Sequence, residues 1–73
     1  MVKLILKEAL EERGFTRYYL SKVTGIKYQT VDNYYKNRVI RYDGDILSKF
    51  CTALSCQISD ILVYIEDDVE ADL

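Results

Sequence analysis

Gly25 most restricts how this chain can fold. It stands between two short stretches of helical apolar periodicity, Arg17–Thr24 and residues 28–36, joined by about three residues. Helices joined that closely must cross at a steep angle, and the turn between them needs a residue that tolerates positive φ. The crossing also needs a small side chain at the contact, and Ser21 supplies it. Val31 and Tyr34 have the spacing to pack the second helix onto the first. Tyr28, Gln29, Asp32 and Asn33 are then left pointing away. Two helices braced in this way form a helix-turn-helix unit.

The same periodicity continues on both sides. There is no proline to interrupt a helix. A first helix is predicted over residues 3–13, with Leu6, Ala9 and Leu10 inside and Lys7, Glu8, Glu11 and Glu12 outside. Gly14 fits the left-handed position just past its end. Thr16 is a good N-cap for the next helix, and Phe15 and Leu20 have the spacing of a hydrophobic staple. Ile26 and Val31 repeat that spacing at the following helix. Its cap position falls on Lys27, a poor capping residue whose charge opposes the helix dipole. A phosphate held at that end would reverse the sign of the interaction. Asn37 can end the helix in the left-handed conformation.

After a loop over residues 37–42, a fourth helix is predicted over Gly44–Leu54. Asp43 is its cap, Tyr42 and Leu47 are its staple, and Leu47, Phe50, Cys51 and Leu54 are its inner face. A last short helix is predicted over residues 59–64, with Ile61 and Leu62 inside. The expected fold is an all-α, compact five-helix bundle over residues 1–65. Residues 66–73 form an acidic tail expected to fray or lack order.

The charges are distributed unevenly. The formal net charge over 73 residues is −2, the reverse of a nucleic-acid footprint. Yet residues 13–42 hold seven bases (Arg13, Arg17, Lys22, Lys27, Lys36, Arg38, Arg41) against the single acid Asp32. Residues 66–73 hold five acids and no base. The body is basic and the tail acidic.

Several classes of chemistry find no support. Without histidine, and with only Cys51 and Cys56 as thiols, no structural zinc site is expected. Cys51 fits core packing, and a disulfide is not expected in a reducing compartment. Asp43, Gly44 and Asp45 begin like a calcium loop but lack its later ligands, so helix capping accounts for them. No nucleophile–base pair or phosphate loop points to an enzyme, and no cofactor or small-molecule substrate is implied. Runs such as Leu4-Ile5-Leu6 are too short to cross a membrane. With no signal-peptide pattern either, a cytoplasmic protein is expected. The seven tyrosines exceed what one small core can hold. Tyr34 fits the core, while Tyr18, Tyr19, Tyr28, Tyr35 and Tyr42 include surface residues.

The run Gly14-Phe15-Thr16, Leu20-Ser21, Thr24-Gly25-Ile26, Thr30-Val31 and Tyr34 resembles the Cro/C1-type (XRE) helix-turn-helix family. Arg41, Asp43, Leu47, Phe50-Cys51, Ala53-Leu54, Cys56, Asp60 and residues 62–65 resemble its short single-domain members. The resemblance implies the lambda-repressor-like fold and sequence-specific binding of double-stranded DNA by a transcriptional regulator, a repressor acting as a homodimer. Its second motif helix lies in the major groove. That would set Tyr28, Gln29, Asp32 and Asn33 against bases, where Gln and Asn can pair with adenine and an acid can accept from cytosine. Phosphate contacts would fall to Thr16, Arg17, Lys27, Lys36, Arg38 and Arg41. The sequence departs from the family pattern at several positions. Ser21 stands for the usual Ala, Arg17 for Gln, Asn37 for Gly and Lys27 for a Ser/Thr cap, and Tyr28 is bulky. A competing reading keeps the scaffold but uses the tyrosine-rich surface as a protein-interaction module, such as an antitoxin or antirepressor.

Overall fold

The computed structural model describes residues 1–66. The expectation for the acidic tail falls on residues 67–73, outside the described residues, in all but Glu66. Four helices and a two-stranded ribbon make up the fold: β1 (Val2–Leu4), α1 (Leu6–Arg13), α2 (Arg17–Thr24), α3 (Tyr28–Tyr35), α4 (Gly44–Leu54) and β2 (Leu62–Tyr64).

The middle helices start and stop where local chemistry directs. Thr16 caps α2 by accepting from the Tyr19 amide at 3.0 Å. Asp43 caps α4 by accepting from the Asp45 and Ile46 amides at 2.8 and 3.3 Å. Gly14 and Gly25 follow α1 and α2 at φ +69° and +75°, and neither would bring an added Cβ within 4 Å of a neighbour. Their role is therefore the backbone angle, not close packing. Ser55 closes α4 in the same left-handed region, at φ +52°.

The two ends of the chain depart from the all-α, five-helix expectation. The first helix begins at Leu6 instead of residue 3, because residues 2–4 form a strand. The expected last helix is a single 3-10 turn, Ile58–Asp60, followed by β2. The strands run antiparallel, with Val2 opposite Tyr64, Lys3 opposite Val63 and Leu4 opposite Leu62. The ladder extends beyond both strands: the Ile5 amide donates to the Ile61 carbonyl at 2.8 Å, and the Ile65 amide to the Met1 carbonyl at 2.7 Å. The physical reason is β preference combined with a single core anchor. Leu4 turns into the core beside exposed Lys3, and Val63 and Tyr64 favour extended backbone.

β1 and the four helices contribute to one core of Leu4, Leu6, Ala9, Leu10, Leu20, Val31, Tyr34, Phe50 and Leu54, with Ile61 just before β2. Leu6, Leu20, Val31, Phe50 and Ile61 are fully buried. Leu47 and Cys51 reach only its partly buried margin, and Cys51 and Cys56 are free thiols. Burial pushes the Cys56 thiol above its ordinary range, and neighbouring Cys51 adds to the effect. Among the described residues no helix is long and apolar enough to cross a membrane.

Candidate nucleic-acid interface

The turn between α2 and α3 is held by its own polar groups. The Ser21 hydroxyl donates to the Ile26 carbonyl at 2.6 Å, and the Thr24 hydroxyl to the Leu20 carbonyl at 2.6 Å. The Ile26 amide donates back to Thr24 Oγ1 at 3.2 Å. Ser21 thus serves as more than a small residue at a crossing: it bonds to the start of the next helix. Val31 and Tyr34 anchor α3 from below, and the Tyr34 ring meets Phe50 edge-on at 5.4 Å between centroids. The Tyr34 hydroxyl accepts from the Asp43 amide at 3.0 Å, tying the loop after α3 to the cap of α4.

On its other side α3 presents Tyr28 and Gln29, both exposed, and Asn33, half-buried. Gln29 Nε2 donates to Asn33 Oδ1 at 3.2 Å, one helical turn on. This bond uses one donor of Gln29 and one acceptor lone pair of Asn33. The Gln29 carbonyl, its second amide hydrogen and the Asn33 amide remain available to another molecule.

Asp32 corrects the sequence reading. It was expected to point away with Tyr28, Gln29 and Asn33, yet it is only 8 % exposed. Its Oδ1 lies 2.6 Å from Arg17 Nη1 and its Oδ2 3.2 Å from Lys36 Nζ. Burial alone would push this carboxyl up, but the bonds from Arg17 and Lys36 outweigh it and hold the group below its ordinary range. The same hydrogen bond raises Arg17 against a smaller opposing effect of burial. Arg17 also lies over the Tyr35 ring, 4.3 Å from its centroid. Tyr35 had drawn no specific role from the sequence. The i,i+4 spacing of Asp32 and Lys36 was a local signal for half of this cluster, but no local rule links Arg17 to Asp32, fifteen residues apart.

The other basic residues divide into two groups. Arg13 is structural: its guanidinium donates to the Leu54 carbonyl at 3.2 Å and the Ala9 carbonyl at 3.0 Å, stapling α1 to the end of α4. Lys22 lies over the exposed Tyr18 ring at 5.4 Å. Lys27, Arg38 and Arg41 are exposed and form no ion pair with any described residue. Lys27 precedes α3 without a side-chain cap. Thr16 Oγ accepts from α2, which leaves its hydroxyl hydrogen free to donate. Asn37 takes the left-handed conformation at φ +58°, and its Oδ1 accepts from the Leu4 amide at 3.0 Å.

Apolar side chains also reach the surface away from α3. Ile40 is 91 % and Tyr64 70 % exposed, and Met1, Val2 and Ile65 lie open beside them on the ribbon.

A short helix braced from below, with paired amides on its wet face and cations at both ends, is a geometry suited to a duplex groove. No curated protein matches the chain. The family model of the Cro/C1-type HTH DNA-binding domain, however, matches residues 5–67. The chain therefore belongs to the Cro/C1-type helix-turn-helix DNA-binding domain family.

Proposed function

We propose that the protein binds specific duplex sequences in the cytoplasm as a transcriptional repressor, with α3 in the major groove. The observation that carries this reading is the hydrogen-bonded Gln29–Asn33 pair on α3, together with exposed Lys27, Arg38 and Arg41, which no described acid neutralises. Tyr28, Gln29 and Asn33 read base edges. Thr16, Arg17, Lys27, Lys36, Arg38 and Arg41 hold the backbones on either side, which fixes register without choosing sequence. Asp32 drops out of the base-reading set, because it is nearly buried and paired with Arg17 and Lys36. A homodimer places two such helices about 34 Å apart on a palindromic site. The open apolar residues of the ribbon, Tyr64 and Ile65 with Val2, are the surface proposed for self-association.

Selection of bound sequences from a random duplex library, read at two salt concentrations, tests this. The wild type is expected to enrich one motif, and neutralising about four phosphates gives a salt slope near −3.6. The double variant Gln29→Ala/Asn33→Ala should lose the motif while keeping most of the slope. Enrichment of the same motif by the double variant would refute base reading by this pair. The exposure of Tyr18 (62 %) and Tyr64 (70 %) favours a second reading, a protein-interaction module. In that case the double variant keeps its partner, and the wild type binds duplex with a flat salt response.

A further inference from the structure

We infer that Asp32 sets specificity by occupying Arg17 and Lys36 as an internal stand-in for phosphate, which weakens the sequence-independent hold on DNA. The inference rests on the DNA-binding reading and concerns the same face. Three observations carry it. The carboxylate is nearly buried, yet both cations on it reach solvent, Arg17 with 32 % and Lys36 with 43 % of its side chain exposed. Each of its oxygens is engaged by a different cation, Arg17 at 2.6 Å and Lys36 at 3.2 Å. Those cations come from two helices, α2 and the end of α3, which would flank one groove.

The geometry decides what Asp32 can do. The carboxylate keeps spare lone pairs, but it is nearly buried under two cations, so direct base reading by a cytosine amino group is disfavoured. The three side chains together carry a net charge of +1, where the two cations alone would carry +2. A phosphate at any sequence then meets cations already paired with an anion. Arg17 is not used up, however. A guanidinium has five N–H donors, and Asp32 engages it through Nη1. Its position over the Tyr35 ring holds it beside α3. On a site where Gln29 and Asn33 seat the helix, the remaining donors can bridge to a phosphate without breaking the internal pair. The carboxylate lowers affinity on all sequences and leaves base contacts to make up the difference on the right one.

Asp32→Asn tests this, because it removes the charge and keeps the shape and an acceptor for Arg17. Binding is followed by fluorescence anisotropy on two duplexes, one carrying the selected sequence and one a scramble of it, across a range of KCl concentrations. On the scrambled duplex the slope should steepen by about 0.9, an extra gain of about 3.5-fold in affinity for each fourfold drop in salt. The ratio of selected to scrambled affinity should fall. Adding Lys36→Gln to Asp32→Asn returns the charge to its wild-type value and should return the slope. A residue that only supports the fold would move neither slope nor ratio. A folded Asp32→Asn protein with the wild-type slope, or one weakened equally on both duplexes, overturns the inference and leaves the DNA-binding reading standing. A wild type that binds neither duplex overturns both. If Asp32→Asn does not fold, Asp32→Ser decides on the same two readouts: a slope steeper by about 0.9 with a lower ratio supports the inference, and an unchanged slope overturns it.

Discussion

At the scale of single residues, Asn37 does two things that one substitution cannot preserve. It holds a left-handed backbone at φ +58° and supplies the acceptor for the Leu4 amide. Glycine would keep the angle and lose the bond, costing about 1 kcal/mol. Alanine would lose both and add roughly 1–2 kcal/mol of left-handed strain. Urea denaturation should rank stability as wild type, then Asn37→Gly, then Asn37→Ala. Equal midpoints for the two variants would mean that the backbone angle carries no cost here. Asn37 was readable as a helix terminator, because left-handed Asn is a local property. Its bond to Leu4 was not, since it joins residues 33 apart. Asp32 was misread for a related reason. Helical spacing puts it beside Gln29 and Asn33, while its pairing with Arg17 comes from the preceding helix.

At the scale of elements, α2, α3 and α4 were legible because their signals are local: Thr16 and Asp43 as caps, Gly25 as the turn, and Asn37 as the stop. The ribbon was not, because three-residue strands are too short to show a period and their partners lie about sixty residues apart. Within the legible part, Lys27 stands at the head of α3 without capping it. Lys27→Ser should stabilise the fold by about 0.5–1 kcal/mol, through a new cap and relief at the helix dipole. If Lys27 meets phosphate, the same change should make the salt slope of DNA binding shallower by about 0.9. Thermal melting and anisotropy on one preparation check both effects. A stabilised variant with an unchanged slope would mean that Lys27 is only a solvated charge.

At the scale of the whole molecule, the ribbon depends on the most distant pairing in the chain's described part. The helix-turn-helix unit is built from contacts close in sequence, while the ribbon must bring residues 1–5 against residues 61–65. Local contacts form before distant ones, because the longer loop costs more entropy to close. Native-state hydrogen exchange should therefore show the amides of Lys3 and Val63 opening more readily than those of Val31 or Phe50. Uniform protection across all four would show the fold to be a single cooperative unit instead. The ribbon acts as a clasp on a finished article, the last part to fasten and the first to come undone. A molecule caught with it unfastened would have lost the Leu4 donor to Asn37 at the foot of α3, and with it the flank proposed to meet its twin.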